Sequence, residues 1–85
     1  MKNIYFTKAA WADYQYWVNT DQKKLKKINS MIEEITRTPF EGTGQPERLK
    51  HQLSGFWSRR IDKENRLVYK IENENIEIIS CKGHY

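Results

Sequence analysis

Glu47, Arg66 and His84 supply a carboxylate, a guanidinium and an imidazole. Those three side-chain types suffice to break the phosphodiester of RNA without a metal. The 2′-OH attacks the adjacent phosphate in line and the 5′-oxygen leaves. A base must take the 2′ proton, an acid must protonate the leaving oxygen, and cations must hold the charge that builds on phosphorus. Carboxylates are ionised at neutral pH and imidazoles titrate at about pH 6.5, so the two types can take and give protons in neutral solution. Glu47 lies in Pro46-Glu47-Arg48-Leu49-Lys50, Arg66 opens a strand-like run, and His84 and Tyr85 end the chain. Each also has an ordinary reading: a solvated loop glutamate, a surface ion pair, a tail histidine, and a frayed terminal aromatic that could otherwise stack on a base. No one of them decides between the readings. It is their joint presence in one short chain that points to chemistry.

Metal chemistry finds less support. The chain has two histidines, His51 and His84, and one cysteine, Cys81, with no H-x-x-x-H or C-x-x-C spacing, which argues against a structural zinc site. No Gly-rich nucleotide-binding motif is present. Magnesium held by carboxylates stays open, though no acidic cluster stands out. The expectation is a site with no metal and no cofactor. A single cysteine allows no intramolecular disulfide. The opening residues turn polar at Thr7 and do not read as a signal peptide, and no apolar run approaches a membrane span. A cytoplasmic protein with no membrane association is expected.

The 85 residues carry a formal charge of +4, unevenly spread. Residues 23–38 and 58–70 each hold five basic and two acidic groups, whereas residues 71–85 balance at −2. Two basic zones in so small a chain suit a polyanion as well as they suit an ordinary solvated surface.

Positioning these groups requires a frame. Residues 2–6 read as a short strand, and Thr7 can cap a helix starting at Lys8, with Ala10, Tyr14, Trp17 and Val18 at helical spacing. Thr20-Asp21 breaks that helix and caps a second, whose stripe is Leu25, Ile28, Ile32 and Ile35, joined by Met31. It should end near Thr38, because Pro39 disfavours helix at the residue before it. Residues 39–55 hold two prolines and three glycines and read as an irregular loop. Three strand-like runs follow at 56–61, 66–71 and 76–81, joined by turns at 62–65 and 72–75. The expected fold is one α+β domain over residues 1–85, in the order β-α-α-β-β-β, with two amphipathic helices packed on one face of a mostly antiparallel sheet. Trp11, Tyr14, Tyr16, Trp17 and Trp57 read as packing aromatics. Arg60, Arg66, Val68 and Lys70 can project from the other face. Adjacent residues on a strand point opposite ways, so Arg59 and Arg60 cannot both do so, and which of them does stays open.

Several runs together resemble the YoeB family of bacterial toxins, within the RelE-like group. They are Thr38-Pro39-Phe40-Glu41-Gly42, Pro46-Glu47, Leu49-Lys50-His51, Leu53-Ser54-Gly55-Phe56-Trp57-Ser58-Arg59-Arg60-Ile61, Arg66-Leu67-Val68-Tyr69 and His84-Tyr85. The resemblance extends to Asp13-Tyr14 and Tyr16-Trp17 in the first helix and to Lys26-Lys27-Ile28-Asn29 in the second. It implies a compact fold similar to microbial ribonucleases and a toxin endoribonuclease that cleaves messenger RNA in the ribosomal A site and so blocks translation. It implies a YefM-type antitoxin as partner, promoter DNA reached only through the antitoxin complex, and room for a homodimer. By the same resemblance Glu47 is the general base, Arg66 stabilises the transition-state phosphate, His84 is the general acid and Tyr85 orients the substrate. Lys50, Arg59 and Arg60 would hold phosphate and RNA, Lys50 also steadying the developing charge. His51 is then expected to be structural and Cys81 to have no redox role; the lysines of the second helix read either as a solvated face or, the preferred expectation for a ribosome-directed enzyme, as a surface that faces ribosomal RNA. The chain departs from the family pattern at Arg48, Asn65 and Gly83, and Gly83 is expected to loosen the tail and make the placement of His84 depend on bound substrate. Beside this stand a non-catalytic RNA- or ribosome-binding module, using the same basic zones and Tyr85, and a protein-interaction partner that is inert alone.

Overall fold

A computed structural model of the chain describes residues 3–83. Strand β1 (Ile4–Phe6) leads directly into helix α1 (Lys8–Thr20). The Thr7 hydroxyl accepts the Ala10 amide at 3.0 Å and donates to the Ile79 carbonyl at 3.1 Å, so the cap also ties the helix start to the sheet. Asp21 is extended; it ends α1 and caps α2 (Gln22–Arg37), its carboxylate accepting the Lys23 and Lys24 amides at 3.1 Å each. Ile28, Met31, Ile32 and Ile35 are all buried. Burying each such side chain stabilises by about 1.5–3 kcal/mol. That outweighs the few tenths of a kcal/mol that each like-charge pair among the outer lysines costs.

The remaining strands are β2 (Glu47–Arg48), β3 (Phe56–Arg60), β4 (Arg66–Glu72) and β5 (Asn75–Ser80), with a 3-10 turn at His51–Leu53. They form one sheet in the order β1-β5-β4-β3-β2. The β1–β5 pairing is parallel and the other three are antiparallel. Leu67, Tyr69, Ile76 and Ile78 meet Trp17, Ile28, Met31 and Ile35 in a core between helices and sheet. This is the expected α+β arrangement, with one strand more. The segment read as a loop contains β2, whose two residues are too few for alternation to show and which exists through its pairing with β3.

The aromatics of α1 divide. Trp17 is buried, but Trp11 and Tyr16 are 52% and 44% exposed. Trp11 stacks on Tyr14 and meets Phe6 edge-on beside β1, outside the core rather than in it. No helix among the described residues is long and apolar enough to cross a membrane.

Candidate active site

Residues directly opposite each other in an antiparallel pair share a face. Glu47 is opposite Ser58, Ser58 opposite Val68, and Val68 opposite Ser80, so one row crosses the sheet on the side away from the helices. One step along, Arg60 pairs with Arg66; in the other direction Lys70 pairs with Phe56 and Glu77. Glu47 and Arg66 are two strands and two residues apart, roughly 12 Å between α-carbons by ordinary sheet spacings. Their side chains can cover that span with one ribose phosphate between them. Glu47 and Arg60 are exposed and Arg66 is half-buried. Lys50 follows β2 and is exposed. Glu47, Lys50 and His51 line a cleft of about 290 Å³ together with Arg48, Leu49 and Leu53. Leu49 is buried and its amide donates to the Phe56 carbonyl at 2.9 Å, which fixes the cleft floor to β3. His51, expected to be structural, is exposed on the wall of this cleft. Among the described residues, no three or more His, Cys, Asp or Glu side chains converge as a metal site.

Arg59 does not belong to this face. It was expected to hold phosphate and RNA, but it is fully buried on the helix side. Its Nε donates to the Tyr69 hydroxyl at 3.2 Å. Its Nη1 forms an ion pair with Glu34 of α2 and donates to the Thr43 carbonyl at 3.2 Å. Its Nη2 donates to the carbonyls of Thr38 and Glu41 at 2.9 Å each. The Tyr69 hydroxyl in turn donates to the Pro39 carbonyl at 2.6 Å. Residues 38–44 therefore wrap around a buried guanidinium, and Arg60 is the arginine of the pair that faces outward. The loop also lies close against β3: the Arg60 amide donates to the Gly44 carbonyl at 2.7 Å. A Cβ on Gly44, whose φ is +88°, would come within 2.8 Å of both the Arg60 carbonyl and Met31 Cε. This anchored loop delivers Pro46 and Glu47 to the sheet edge, so Arg59 serves the site from inside. The Thr43 amide and the Arg59 guanidinium hold the Glu34 carboxyl below the usual carboxylate range despite opposing desolvation. Glu34 and Tyr69 were not among the expected site residues. The available signals were a glutamate beside the α2 stripe and two glycines, Gly42 and Gly44, one residue apart.

His84 and Tyr85 lie outside the described residues; the residues just before them are held by backbone hydrogen bonds. The Cys81 amide donates to Asp13 Oδ2 at 3.0 Å, and its carbonyl accepts Trp17 Nε1 at 2.8 Å. The Gly83 amide donates to Asn65 Oδ1 at 2.7 Å, and its carbonyl accepts the Arg66 amide at 3.0 Å. Between them the Lys82 ammonium lies 4.2 Å above the Tyr16 ring centre. Gly83 was expected to loosen the tail. Instead both its backbone polar groups are bonded, and its φ of +77° is a left-handed turn that glycine adopts without strain. Burial, followed by the Asp13 carboxylate, pushes the Cys81 thiol up to about 12.

The turn before β4 is built on Asp62. Its carboxylate accepts the Glu64 and Asn65 amides at 2.7 Å each and pairs with Lys24 of α2 at 2.8 Å. Burial opposes its charge, but Lys24, the Asn65 side chain and the two amides outweigh burial and hold the carboxyl well below the usual range. Lys27 donates to the Ile61 carbonyl, so two of the α2 lysines expected to face RNA are tied to this turn. Lys23 and Lys26 are exposed.

The sequence model of the YoeB-like toxins of bacterial type II toxin–antitoxin systems matches residues 6–85. This chain belongs to that family. Toxin YoeB from Escherichia coli (strain K12) is 51% identical to this YoeB-like toxin over 82 residues, which cover 96% of this chain and 98% of that protein. A solved YoeB/ParE toxin from Agrobacterium tumefaciens is 42% identical and superposes with a TM-score of 0.96, covering 98% of this chain and 99% of its own. A YoeB–YefM complex from Staphylococcus aureus gives 46% identity and a TM-score of 0.91, covering 98% and 97%. The YoeB-like fold, two helices followed by a mostly antiparallel five-stranded sheet, is thus shared along nearly the whole chain.

Proposed function

We propose that this YoeB-like toxin is an endoribonuclease that cleaves messenger RNA in the ribosomal A site by metal-free acid–base chemistry. Glu47 removes the proton of a ribose 2′-OH, and the freed oxygen attacks the adjacent phosphorus. Arg66, with Lys50 and Arg60 nearby, holds the charge gained by the phosphate oxygens. His84 gives a proton to the departing 5′-oxygen, and Tyr85 orients the substrate. The products are a 2′,3′-cyclic phosphate on the upstream fragment and a 5′-hydroxyl on the downstream one. Residues 1–85 act as one cytoplasmic catalytic domain. A YefM-type antitoxin silences it, promoter DNA is met only through that complex, and a homodimer is a second assembly.

The observation that carries this reading is the hydrogen bond from the Arg66 amide to the Gly83 carbonyl, at 3.0 Å. It brings the chain, one residue before His84, to the strand position that bears Arg66, and Glu47 projects from the same sheet face two strands away. The proposed base, the proposed phosphate cation and the residue that precedes the proposed acid thereby come from three separate stretches of sequence to neighbouring strands of the sheet.

The test is an in-vitro translation reaction on a defined messenger, read by primer extension. Wild type should cut within codons at the A site and should not cut without ribosomes. Glu47→Ala and His84→Ala should each lose about 10²–10⁴-fold in rate while still binding ribosomes. A folded wild type that binds ribosomes and cuts nothing would mean a binding module, in which Glu47 and His84 have no catalytic work.

A further inference from the structure

We infer that Asn65 is a positioning residue for the acid end of the site, clamping the backbone of Gly83, the residue before His84, beside the start of β4. The inference rests on His84 acting as the acid.

Four backbone groups fix residues 81–83. Asp13 and Trp17 of α1 hold the Cys81 amide and carbonyl, while Asn65 and the Arg66 amide hold Gly83. Of these four, the 2.7 Å bond from the Gly83 amide to Asn65 Oδ1 is the side-chain contact nearest His84 in sequence. The side-chain amide of Asn65 can face only one way. Its Nδ2 donates to both oxygens of Asp62 at 3.1 Å each, which leaves Oδ1 aimed at Gly83. Asp62 is itself gripped by Lys24 and two backbone amides. A continuous set of polar contacts therefore runs from α2 through the turn to the tail.

Closing the turn does not require a bond from Oδ1 to Gly83. The backbone carbonyl of Asn65 already closes the turn by accepting the amides of Ile61 and Asp62. The side chain serves the turn through Nδ2, but its Oδ1 reaches 18 residues along the chain. Its target is a glycine, the residue that loses most freedom when fixed, at a left-handed φ of +77°. Without Asn65, the Arg66 amide alone would hold Gly83. A catalytic group displaced by about 1 Å costs on the order of 10²-fold in rate.

The experiment compares Asn65→Ala with wild type, each with and without His84→Ala, in single-messenger A-site cleavage, alongside amide exchange at Gly83 by NMR. Asn65→Ala should speed Gly83 exchange at least tenfold. It should lower kcat roughly 10- to 100-fold with KM for programmed ribosomes within twofold, and cost nothing further in the His84→Ala background. The paired change Asp62→Asn with Asn65→Asp exchanges amide and carboxylate and keeps an acceptor for Gly83 but gives up the Lys24 ion pair, so its kcat should match that of Asp62→Asn alone. A merely structural Asn65 would lower activity by the same factor whether or not His84 is present, and that result, or unchanged exchange at Gly83, overturns the inference. Should Asn65→Ala fail to fold, the paired variant decides: a kcat equal to that of Asp62→Asn alone supports the clamp, and a folded protein with a kcat tenfold or more below it overturns it. If His84→Ala cleaves as fast as wild type, the catalytic assignment falls, and the Gly83 exchange rate still accepts or rejects the clamp by itself.

Discussion

At position 59 a guanidinium has left water entirely, and five hydrogen bonds to Tyr69, Glu34, Thr43, Thr38 and Glu41 replace its solvation. A buried charge is tolerated only when it is paired and bonded in this way, and breaking such a pair from one side leaves the other charge stranded. Arg59→Ala should therefore cost about 3–5 kcal/mol in chemical denaturation. Arg60→Ala, next to it on the open face, should stay within about 0.5 kcal/mol of wild type. Equal losses at the two positions would contradict the assignment of inner and outer arginine. The sequence could name the pair but not sort it, because alternation says that two neighbours differ without saying which is inside. Glu47, Lys50, Arg60 and Arg66 were legible as candidates from type and resemblance. Glu34 and Tyr69 were not, because each takes its role from Arg59, 25 and 10 residues away in the chain. Asn65 was visible as a turn residue and as a departure from the family pattern, and its further role emerges from contact with Gly83.

Elements were easier to read where their signal is local. The α2 stripe, the Thr7 and Asp21 caps and the stop before Pro39 are all written within a few residues of where they act. Strand β2 is not, since two residues carry no period and their partners, Ser58 and Trp57, lie 11 and 9 residues further on. The contacts that fasten α2 to the sheet side are carboxylates, Glu34 to Arg59 and Asp62 to Lys24. Both carboxyls have folded-state pKa values depressed below their ordinary 4.5 and 3.8. On lowering pH the unfolded chain takes up those protons first, so unfolding becomes favoured. Their contribution is fully present above pH 4.5 and is lost as pH falls through the depressed folded values. Melting temperature should hold steady from pH 7 to 5 and drop progressively below 4.5, and Asp62→Asn should flatten part of that drop. A variant that shows the full wild-type acid slope would remove Asp62 from the account.

At the scale of the whole molecule, the fold brings a loop, a strand start and the approach to the chain end to one side of a five-stranded sheet. The helices cover the other side. The +4 charge is arranged to match. Arg60 and Arg66 stand on the open face, Lys50 borders it, and Lys24 and Lys27 are used internally to brace the turn from which Arg66 emerges. A scaffold that spends several charges on holding its own site together suits catalysis by placed groups better than simple adhesion to a polyanion. The most direct test is single-turnover cleavage of a defined messenger carrying one 2′-deoxynucleotide on the 5′ side of the scissile phosphate, with the ends of the all-ribose products identified chemically. The account predicts no cut at the deoxy position and, from the all-ribose messenger, an upstream fragment ending in 2′,3′-cyclic phosphate, formed about 10²–10⁴-fold more slowly by Glu47→Ala. Cleavage of the deoxy messenger at the normal rate, or an upstream 3′-hydroxyl beside a downstream 5′-phosphate, would contradict it.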